Sequence, residues 1–497
     1  MNELERGIDR KYAWIQIAYN LLFILFWYFA NDGLAFWDDY SYLNLARQIN
    51  DGFFEVTTNH FTSRVGLIYP VAWIIRWLGI DAYSITIFPF VCGLLILNLL
   101  MYHGKRYNIW IGVIGGLFLV CDYHFLQFVT HLFPEVPFAA CIFLALFSYD
   151  IVNRREGDHR FLALLTALSL FVAFLIKTTV FLLVPLFLFL FFNDRLRRKK
   201  HYSYWLITVT CLLFFFVLNL FYYYETKGDA FYRLNNISMN HEASSKTFFD
   251  KPLSETLKRL TYLPLFGFMR GGFFIPLILA LPAIITLKKS DWRLNDPTKL
   301  WAIATILTLA SWWFMSTNWK YYSPMPIDTR HITFIIPFML MAGVYWWTKT
   351  KTSLFKQVER LKWPFALLLL LLAIPIYKVS KSDDRNFKDL ESLYQTELIG
   401  LDAQLTESQT VYTDGLLSYG YPYFYNFKEA NFNYEWWVES DLAKVDIGDY
   451  LLINQPFLNE RYNDFIKLEK LKAIVQERGW NLNCSGSGRL SLCKVER

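Results

Sequence analysis

The sequence predicts a polytopic α-helical membrane protein with about eleven transmembrane helices, interfacial helices in its first outer loop and a small C-terminal soluble α/β domain. Three observations lead to this fold class: apolar stretches recur over most of the chain, basic residues concentrate in alternate loops, and the C-terminal part is polar. With 55% hydrophobic and 19% charged residues, the 497-residue chain is too apolar for an ordinary water-soluble enzyme. Its 46 Phe, 31 Tyr and 18 Trp residues exclude a disordered chain.

The apolar stretches give the predicted spans, because a helix needs about 20 mostly apolar residues to cross the hydrocarbon core. The candidates are residues 12–30, 83–102, 108–126, 134–152, 161–176, 178–192, 204–224, 273–287, 300–316, 331–348 and 363–377. Residues 65–79 are also apolar, but this run has only about 15 residues and contains Pro70 and Arg76. We therefore expect it to lie along the membrane interface.

The positions of Lys and Arg support this topology. With the N-terminus inside and residues 65–79 not spanning, the cytoplasmic segments hold about 22 basic residues in about 60 positions. The opposite loops hold about 12 in about 110 positions. The bias predicts an integral membrane protein, typical of a bacterial inner membrane, with a cytoplasmic N-terminus and an extracytoplasmic C-terminal domain. The net charge of +6 reflects basic loops rather than a nucleic-acid groove, so no nucleic-acid partner is expected.

Composition divides the chain into a membrane module, residues 1–378, and an extracytoplasmic domain, residues 379–497. The module's outer loops are residues 31–81, 225–272 and 317–330. In the tail, apolar runs near Thr410, Asp449 and Arg489 predict strands, and residues 462–478 have a helical pattern. The tail either caps the membrane module or recognises an acceptor through the aromatic run near Tyr419.

The six cysteines do not form a disulfide scaffold or a zinc motif. Four of them lie in apolar runs and are expected to be small buried hydrophobic residues. Cys484 and Cys493 lie in the polar tail and would pair as a disulfide if that tail is extracytoplasmic.

The first outer loop carries two adjacent carboxylates, Asp38 and Asp39, just beyond the first span. Two carboxylates at a membrane surface suit a general base or a metal site. The structural alternative is that both residues stand at the start of an amphipathic helix, where the macrodipole favours acidic side chains.

A second candidate group lies where charges are costly. Glu135 follows Pro134 at the outer end of a span, and Lys177 is the only charge in about thirty residues between two spans. The structural alternatives are a helix-start glutamate and a snorkelling lysine. Asp328, Arg330 and His331 precede a later span on the same side, where positive-inside logic disfavours cations. Lys177 and Arg330 together would suit a lipid-borne phosphate.

The order of these motifs resembles the glycosyltransferase C superfamily, particularly its bacterial aminoarabinose transferase and protein O-mannosyltransferase branch. The resemblance covers about residues 10–380 and is carried by WDDYSYLNLAR, GLIYPVAWIIRWLG, HLFPEVPFAA, LIKTTVFLLVP and DTRHITFIIPFMLMAG. The chain has Asp-Asp where the family usually has Asp-Glu, and HFTSRVGLIYP in place of a proline-rich loop. Neither the sugar nor the acceptor can therefore be transferred from the family.

The resemblance implies a glycosyltransferase that moves one hexose or pentose from a polyprenyl-phosphate donor to a lipid, glycan or protein acceptor outside the cytoplasm. It implies an inverting displacement in which Asp38, helped by Asp39, is the base. The implied site residues are Asp38, Asp39 and Glu135 for catalysis, Lys177, Arg330 and Arg64 for the donor phosphate, and His60, Tyr42 and His331 for substrate binding. No cofactor is implied with certainty, and a divalent metal stays open.

Two other functions share some of these features. A transporter or lipid flippase would also have many spans, although such proteins commonly show internal repeats and ionisable residues at mid-membrane depth. A polysaccharide polymerase or ligase would place its chemistry in a large late loop, and the loop with Arg233, His241, Arg259 and Arg270 is long enough for that.

Overall fold

The structure is a computed structural model that describes most of the membrane module and parts of the tail. The described residues are 3–31, 33–34, 38–154, 159–198, 201–243, 251–287, 294, 296–350, 410–413, 433–436, 445–454, 468–486 and 490–497. The predicted span at residues 363–377, the proposed domain boundary near residue 378 and the aromatic run near Tyr419 lie outside them.

Most of the described part of residues 3–350 is helical. Its helices are α1 Glu3–Phe29, α2 Asp38–Asp51, α3 Val65–Leu78, α4 Ala82–Tyr107, α5 Ile109–Cys121, α6 Tyr123–Gln127, α7 Glu135–Arg154, α8 Arg160–Ile176, α9 Val184–Phe192 and α10 Tyr202–Lys227. Then follow α11 Tyr232–Ala243, α12 Leu253–Leu260, α13 Leu263–Arg270, α14 Phe274–Ile285, α15 Pro297–Phe314 and α16 Ile336–Thr350. Short 3-10 turns at His60–Ser63, Thr178–Leu183, Thr329–His331 and Thr333–Ile335 connect some of them.

The predicted count of eleven spans is only partly matched. Within the described residues, five helices are long and apolar enough to cross a membrane, or six if the bent pair α13 and α14 forms one span. The predicted spans at residues 108–126 and 161–176 correspond to shorter helices, α5 with 13 residues and α8 with 17. The prediction rested on the number of consecutive apolar residues, whereas turns divide several of these apolar runs into shorter helices.

Helix α7 lies at the centre of the module. It packs against α4 and α8, and nearly all of its side chains are buried. Helices α1 and α10 instead expose apolar side chains such as Trp14, Phe29, Leu213 and Phe221. In an aqueous protein such surfaces would be unstable, so they are the surfaces that contact lipid.

Helix α3 corresponds to the run predicted to lie at the interface. Its 14 residues extend about 21 Å at 1.5 Å per residue, which is too short to cross the hydrocarbon core. One face is buried, whereas Tyr69, Trp73 and Trp77 are exposed on the other. Gly66 allows its first turn to contact the end of α8, since a Cβ there would lie 3.0 Å from the backbone nitrogen of Ile176.

The described part of the tail forms a five-stranded mixed sheet, as the predicted α/β domain requires. The strands are β1 Thr410–Thr413, β2 Asn433–Trp436, β3 Tyr450–Asn454, β4 Asn481–Gly486 and β5 Leu490–Glu496, in the order β2-β1-β3-β5-β4. The pairs β1–β2 and β1–β3 are parallel, and β3–β5 and β4–β5 are antiparallel. The helix α17, Leu468–Glu477, falls within the predicted helical segment.

The two faces of this sheet belong to different hydrophobic clusters. Leu452, Leu490 and Leu492 share a cluster with buried residues of α2 and α3, whereas Leu451 and Val495 share one with α17. This alternation follows from the two-residue period of a strand. The sheet therefore lies between the first outer loop and α17.

Cys484 and Cys493 form a disulfide between β4 and β5, where the two residues are directly opposite in the register. The pairing that the sequence allowed is therefore present. The other four cysteines are free. Cys92 is buried as predicted, whereas Cys121, Cys141 and Cys211 are only partly buried.

Candidate active site

The first of two ion pairs joins residues almost 300 positions apart in the chain. Asp38 is the first residue of α2, and its Oδ2 accepts a hydrogen bond from Nη1 of Arg330 at 2.7 Å. The two side chains are 25% and 26% exposed, so the pair borders solvent. Asp39 is fully buried in the same first turn, as the structural alternative for the two aspartates expected.

Glu135 and Lys177 form the second ion pair. Glu135 begins α7, and Lys177 follows the last residue of α8, with its Nζ 2.7 Å from Oε1 of Glu135. Both side chains are buried, at 2% and 8% exposed. The other carboxylate oxygen of Glu135 has no hydrogen-bond partner among the described residues. This oxygen is an acceptor that a ligand hydroxyl can use.

A narrow crevice is lined by Glu135 and Lys177 of one pair and by Arg330 of the other, but not by Asp38. It is partly open to solvent, and its lining residues are Glu135, Phe138, Lys177, Thr179, Met325, Arg330, His331 and Phe334. Sequence reasoning named Glu135, Lys177, Arg330 and His331 but missed the apolar lining. Of these apolar residues, Phe138 could have been predicted from the sequence, because it lies one turn after Glu135 on α7 and residues three apart share a helix face.

Arg64, Tyr42 and His60 stand beside Asp38. Arg64 follows the 3-10 turn His60–Ser63, donates a hydrogen bond to the Tyr42 hydroxyl, and lies 5.5 Å from the centre of the Tyr42 ring. His60 packs on Phe61 with ring centres 4.0 Å apart. These residues form a wall next to the Asp38 carboxylate, although none of them lines the crevice itself.

The charges of the site act on one another. Burial alone would raise the pKa of Asp38, but the neighbouring charges of Arg330 and Arg64 outweigh it and hold the pKa below its ordinary value of 3.8. Burial lowers the pKa of Lys177, although the charge of Glu135 opposes this effect. The pKa of Arg330 is raised because Asp38, Glu135 and Asp328 together outweigh its burial. The carboxylate of Asp38 is therefore ionised at neutral pH.

The described residues contain no group of three or more His, Cys, Asp or Glu side chains that could hold a metal ion. His124, another histidine of this region, stacks on Phe273 and hydrogen-bonds to the Gly271 carbonyl. Its contacts are those of a structural residue.

The chain is similar to known proteins in sequence over part of its length and in fold over nearly all of it. The profile of the family described as Dolichyl-phosphate-mannose-protein mannosyltransferase matches residues 69–222, which include Glu135 and Lys177. The fold matches crystal structures of ArnT from Cupriavidus metallidurans, one bound to undecaprenyl phosphate and one in the apo state, each with a TM-score of 0.61. Both matches agree with the resemblance to the glycosyltransferase C superfamily, the first over part of the sequence and the second in fold.

The extent of each match defines what it shows. The two ArnT structures are 12% identical to this chain and cover 97% of it, and the chain covers 98% and 97% of theirs. At that identity the likeness establishes the fold alone. The family profile matches less than half of the chain. No curated protein sequence matches it.

Proposed function

We propose that the protein transfers a sugar from a polyprenyl-phosphate donor to an acceptor on the non-cytoplasmic face of the membrane. The observation that carries this proposal is a crevice lined by the Glu135–Lys177 ion pair and by Arg330, whose own ion pair is with Asp38. The ArnT fold and the bound undecaprenyl phosphate of one ArnT structure support a lipid phosphate as the donor's carrier.

Asp38 is the base of the proposed reaction. Its carboxylate takes the proton of the acceptor hydroxyl while that oxygen attacks the anomeric carbon. The bond from the anomeric carbon to the phosphate oxygen breaks on the opposite face, so the configuration inverts. Arg330 and Lys177 stabilise the negative charge that develops on the departing lipid phosphate.

Substrate binding strengthens this base. In the substrate-free structure Arg330 donates to Asp38 and keeps the pKa of its carboxyl low, which makes it a weak proton acceptor. When a phosphate takes over the hydrogen bonds of Arg330, the effect of burial is opposed mainly by Arg64 alone and the pKa of Asp38 rises. The donor thus activates the base that the acceptor needs.

The remaining predicted residues have supporting roles. Glu135 uses its unpartnered Oε2 to orient a sugar or acceptor hydroxyl. His331 lines the crevice that receives the substrate, whereas Tyr42 and His60 stand beside Asp38, where Arg64 adds positive charge. Asp39, buried behind Asp38, positions the first turn of α2 rather than touching a substrate.

Three features support the non-cytoplasmic placement of the crevice. Basic residues concentrate in the loops assigned to the opposite side. The Cys484–Cys493 disulfide requires an oxidising compartment. The sheet that carries this disulfide shares a hydrophobic cluster with α2, the helix that begins at Asp38.

Transfer from a radiolabelled polyprenyl-phosphate sugar by the purified full-length protein tests the proposal. Asp38→Asn keeps the size of the side chain but removes the base, so we expect turnover to fall about 10²- to 10⁴-fold. The control is Glu55→Gln, because Glu55 is an exposed carboxylate in the same outer loop whose ion pair is with Lys227. Near-normal turnover by Asp38→Asn would remove Asp38 from the base role.

The product distinguishes the alternatives. NMR of the new glycosidic bond should show the anomeric configuration opposite to that of the donor. Movement of labelled lipid between leaflets without any glycosyl product would instead favour a flippase. Loss of activity in Arg270→Gln together with normal activity in Asp38→Asn would favour a polymerase or ligase that uses the late loop.

A further inference from the structure

Arg330 contacts two carboxylates that come from different parts of the chain. Its Nη1 lies 2.7 Å from Oδ2 of Asp38, and its Nε lies 3.3 Å from Oδ2 of Asp328. The first contact is a hydrogen bond, whereas the Nε atom has no hydrogen-bond partner among the described residues. The ion pair with Asp328 is therefore close, but it leaves the hydrogen-bonding capacity of Nε unused.

The position of Asp328 relative to Arg330 is fixed by the local backbone. Asp328 directly precedes the 3-10 turn Thr329–His331. Its Oδ1 accepts a hydrogen bond from the backbone N–H of Arg330 at 3.3 Å, and its carbonyl accepts one from the N–H of His331 at 3.0 Å. Oδ1 thus caps the turn while Oδ2 pairs with the guanidinium, so the two oxygens of one carboxylate have separate tasks.

Asp38 is joined to Arg330 in a different way. It lies 292 positions away in the chain, so its contact with Arg330 depends on tertiary packing. Asp38 is also the proposed base, and its carboxylate must be released by Arg330 before it can accept a proton well. When Arg330 releases Asp38, Asp328 is still two residues away on the same turn.

A phosphate in the crevice competes with these carboxylates for the guanidinium. Arg330 lines the crevice, whereas neither Asp38 nor Asp328 does. A guanidinium has five N–H groups in a planar fork, so it can keep one carboxylate at Nε while its Nη atoms donate to a phosphate. Asp328 is the carboxylate suited to this, because keeping it requires no movement of another helix.

We propose that Asp328 is a positioning residue for the transfer reaction. It holds Arg330 by Nε when Nη1 leaves Asp38 and donates to the donor phosphate, so that the guanidinium stays directed at the crevice. This role rests on the proposed function for the identity of the ligand that Arg330 takes up. Asp328 itself contacts no substrate and exchanges no proton.

Substitutions that separate the two oxygens of Asp328 test this role. Asn and Ser cap a turn about as well as Asp does, but neither carries a negative charge. Asp328→Asn and Asp328→Ser proteins should therefore unfold at the wild-type temperature, whereas Asp328→Ala loses the cap and should unfold at a lower one. An effect that the Asn and Ser variants share is then due to the lost ion pair.

Binding of undecaprenyl phosphate to the purified full-length protein in detergent reports on Arg330 without any sugar transfer. Asp328→Asn and Asp328→Ser should weaken this binding about 3- to 10-fold, between the effects of losing an exposed ion pair and a hydrogen bond to a charged group. Asp328→Glu restores the charge and should recover part of the affinity. Asp38→Asn should instead strengthen binding, because the carboxylate that competes with phosphate for Nη1 is gone.

Because Asp328 acts through Arg330, the effects of changing both should not add. In an Arg330→Gln background, Asp328→Asn should change the affinity less than about 2-fold. Glu255→Gln is the matched control, since Glu255 pairs at 2.7 Å with Lys258, three residues later on α12, and it should leave the affinity unchanged. The uncharged undecaprenol should bind equally to every variant, which confirms that the changes concern the phosphate.

The direction of the change in affinity decides between the roles of Asp328. An Asp328→Asn protein that binds undecaprenyl phosphate as tightly as wild type, or more tightly, would overturn the positioning role and leave a cap or a competing charge. A full additional loss in the Arg330→Gln background would also overturn it. Wild-type protein that does not bind undecaprenyl phosphate would overturn this role and the proposed function together. The expected binding pattern in a protein that transfers no sugar would contradict the proposed function alone.

Discussion

Buried charges occur at both ends of α7, and the two clusters use their hydrogen-bonding groups differently. At its C-terminal end, both oxygens of Asp150 accept hydrogen bonds from Arg154, at 2.7 and 2.6 Å. The Tyr345 hydroxyl lies 2.9 Å from Nδ1 of His103 and 3.3 Å from Nη2 of Arg154. At its N-terminal end, Glu135 uses one oxygen only.

The clusters are about 22 Å apart, because 15 residues of helix separate Glu135 from Asp150. Each contains a carboxylate and a cation, so charge alone does not distinguish structure from function. The carboxylate oxygens do: both oxygens of Asp150 are paired within the protein, whereas Oε2 of Glu135 has no hydrogen-bond partner among the described residues and costs free energy unless a ligand pairs with it. We therefore regard the Asp150–Arg154 cluster as structural and the Glu135–Lys177 cluster as a binding site.

Neutralising each ion pair should give the largest contrast. The double variants Glu135→Gln/Lys177→Met and Asp150→Asn/Arg154→Met remove both charges, which leaves stability nearly unchanged because no unpaired charge stays buried. We expect transfer activity to fall about 10³-fold in the first and less than about 3-fold in the second. Unfolding midpoints and turnover of both proteins check this. Equal activity losses in the two double variants would show that the two clusters do not differ in function.

Breaking only one half of the structural pair should destabilise the protein. Arg154→Met leaves the Asp150 carboxylate buried without its main partner, which should lower the free energy of unfolding by about 3 to 5 kcal/mol. Thermal unfolding in detergent measures this loss, and the double variant above is its control. A single variant as stable as wild type would show that Asp150 is not held by Arg154.

The pH dependence of activity should change when Arg330 is removed. The folded-state pKa of Asp38 lies below 3.8, so its ion pair is intact above that pH and is lost only as the pH falls through the lowered pKa. Wild-type kcat/KM, which reports the substrate-free protein, should thus show no acid limb from Asp38 above about pH 4. In Arg330→Gln burial is less opposed, the pKa rises, and the ratio of kcat/KM at pH 5.5 to that at pH 7.5 should fall about 3- to 10-fold. An unshifted profile would contradict the pairing.

Single hydroxyl deletions should give the smallest effects. Tyr42→Phe removes a hydrogen bond from Arg64 and should raise the KM for the donor about 3- to 10-fold with little change in stability. Tyr345→Phe should instead cost about 1 kcal/mol of stability and leave KM unchanged. Steady-state kinetics and unfolding midpoints of both variants separate the two regions. The reverse pattern would exchange their roles.

Much of the fold followed from the sequence, because apolar stretches and basic loops report directly on lipid and solvent. Residues 134–152 predicted α7, and the tail strands near Thr410 and Asp449 lie where they were expected. The eleven predicted spans are matched only in part among the described residues, since hydropathy does not show where a turn interrupts an apolar run. In the predicted span 108–126, α5 ends at Cys121 and the short helix α6 begins at Tyr123.

The sequence predicted which residues form the candidate site, but not which of them form ion pairs with one another. Asp38, Glu135, Lys177 and Arg330 each stood out as charges near a hydrocarbon boundary. Which carboxylate faces which cation depends on packing between residues 42 and 292 positions apart. Arg233 was noted only as part of a long loop, since a sequence does not show that a loop arginine is buried.

The sheet of the tail packs against the helix that carries Asp38. Leu490 and Leu492 of β5 are buried in the same apolar cluster as Tyr40 and Tyr42 of α2, within four residues of Asp38. Cutting the chain after the last membrane helix would remove this apolar contact and expose buried side chains of α2 to solvent. The tail therefore stabilises the helix that begins at Asp38, and it cannot be removed without affecting that helix.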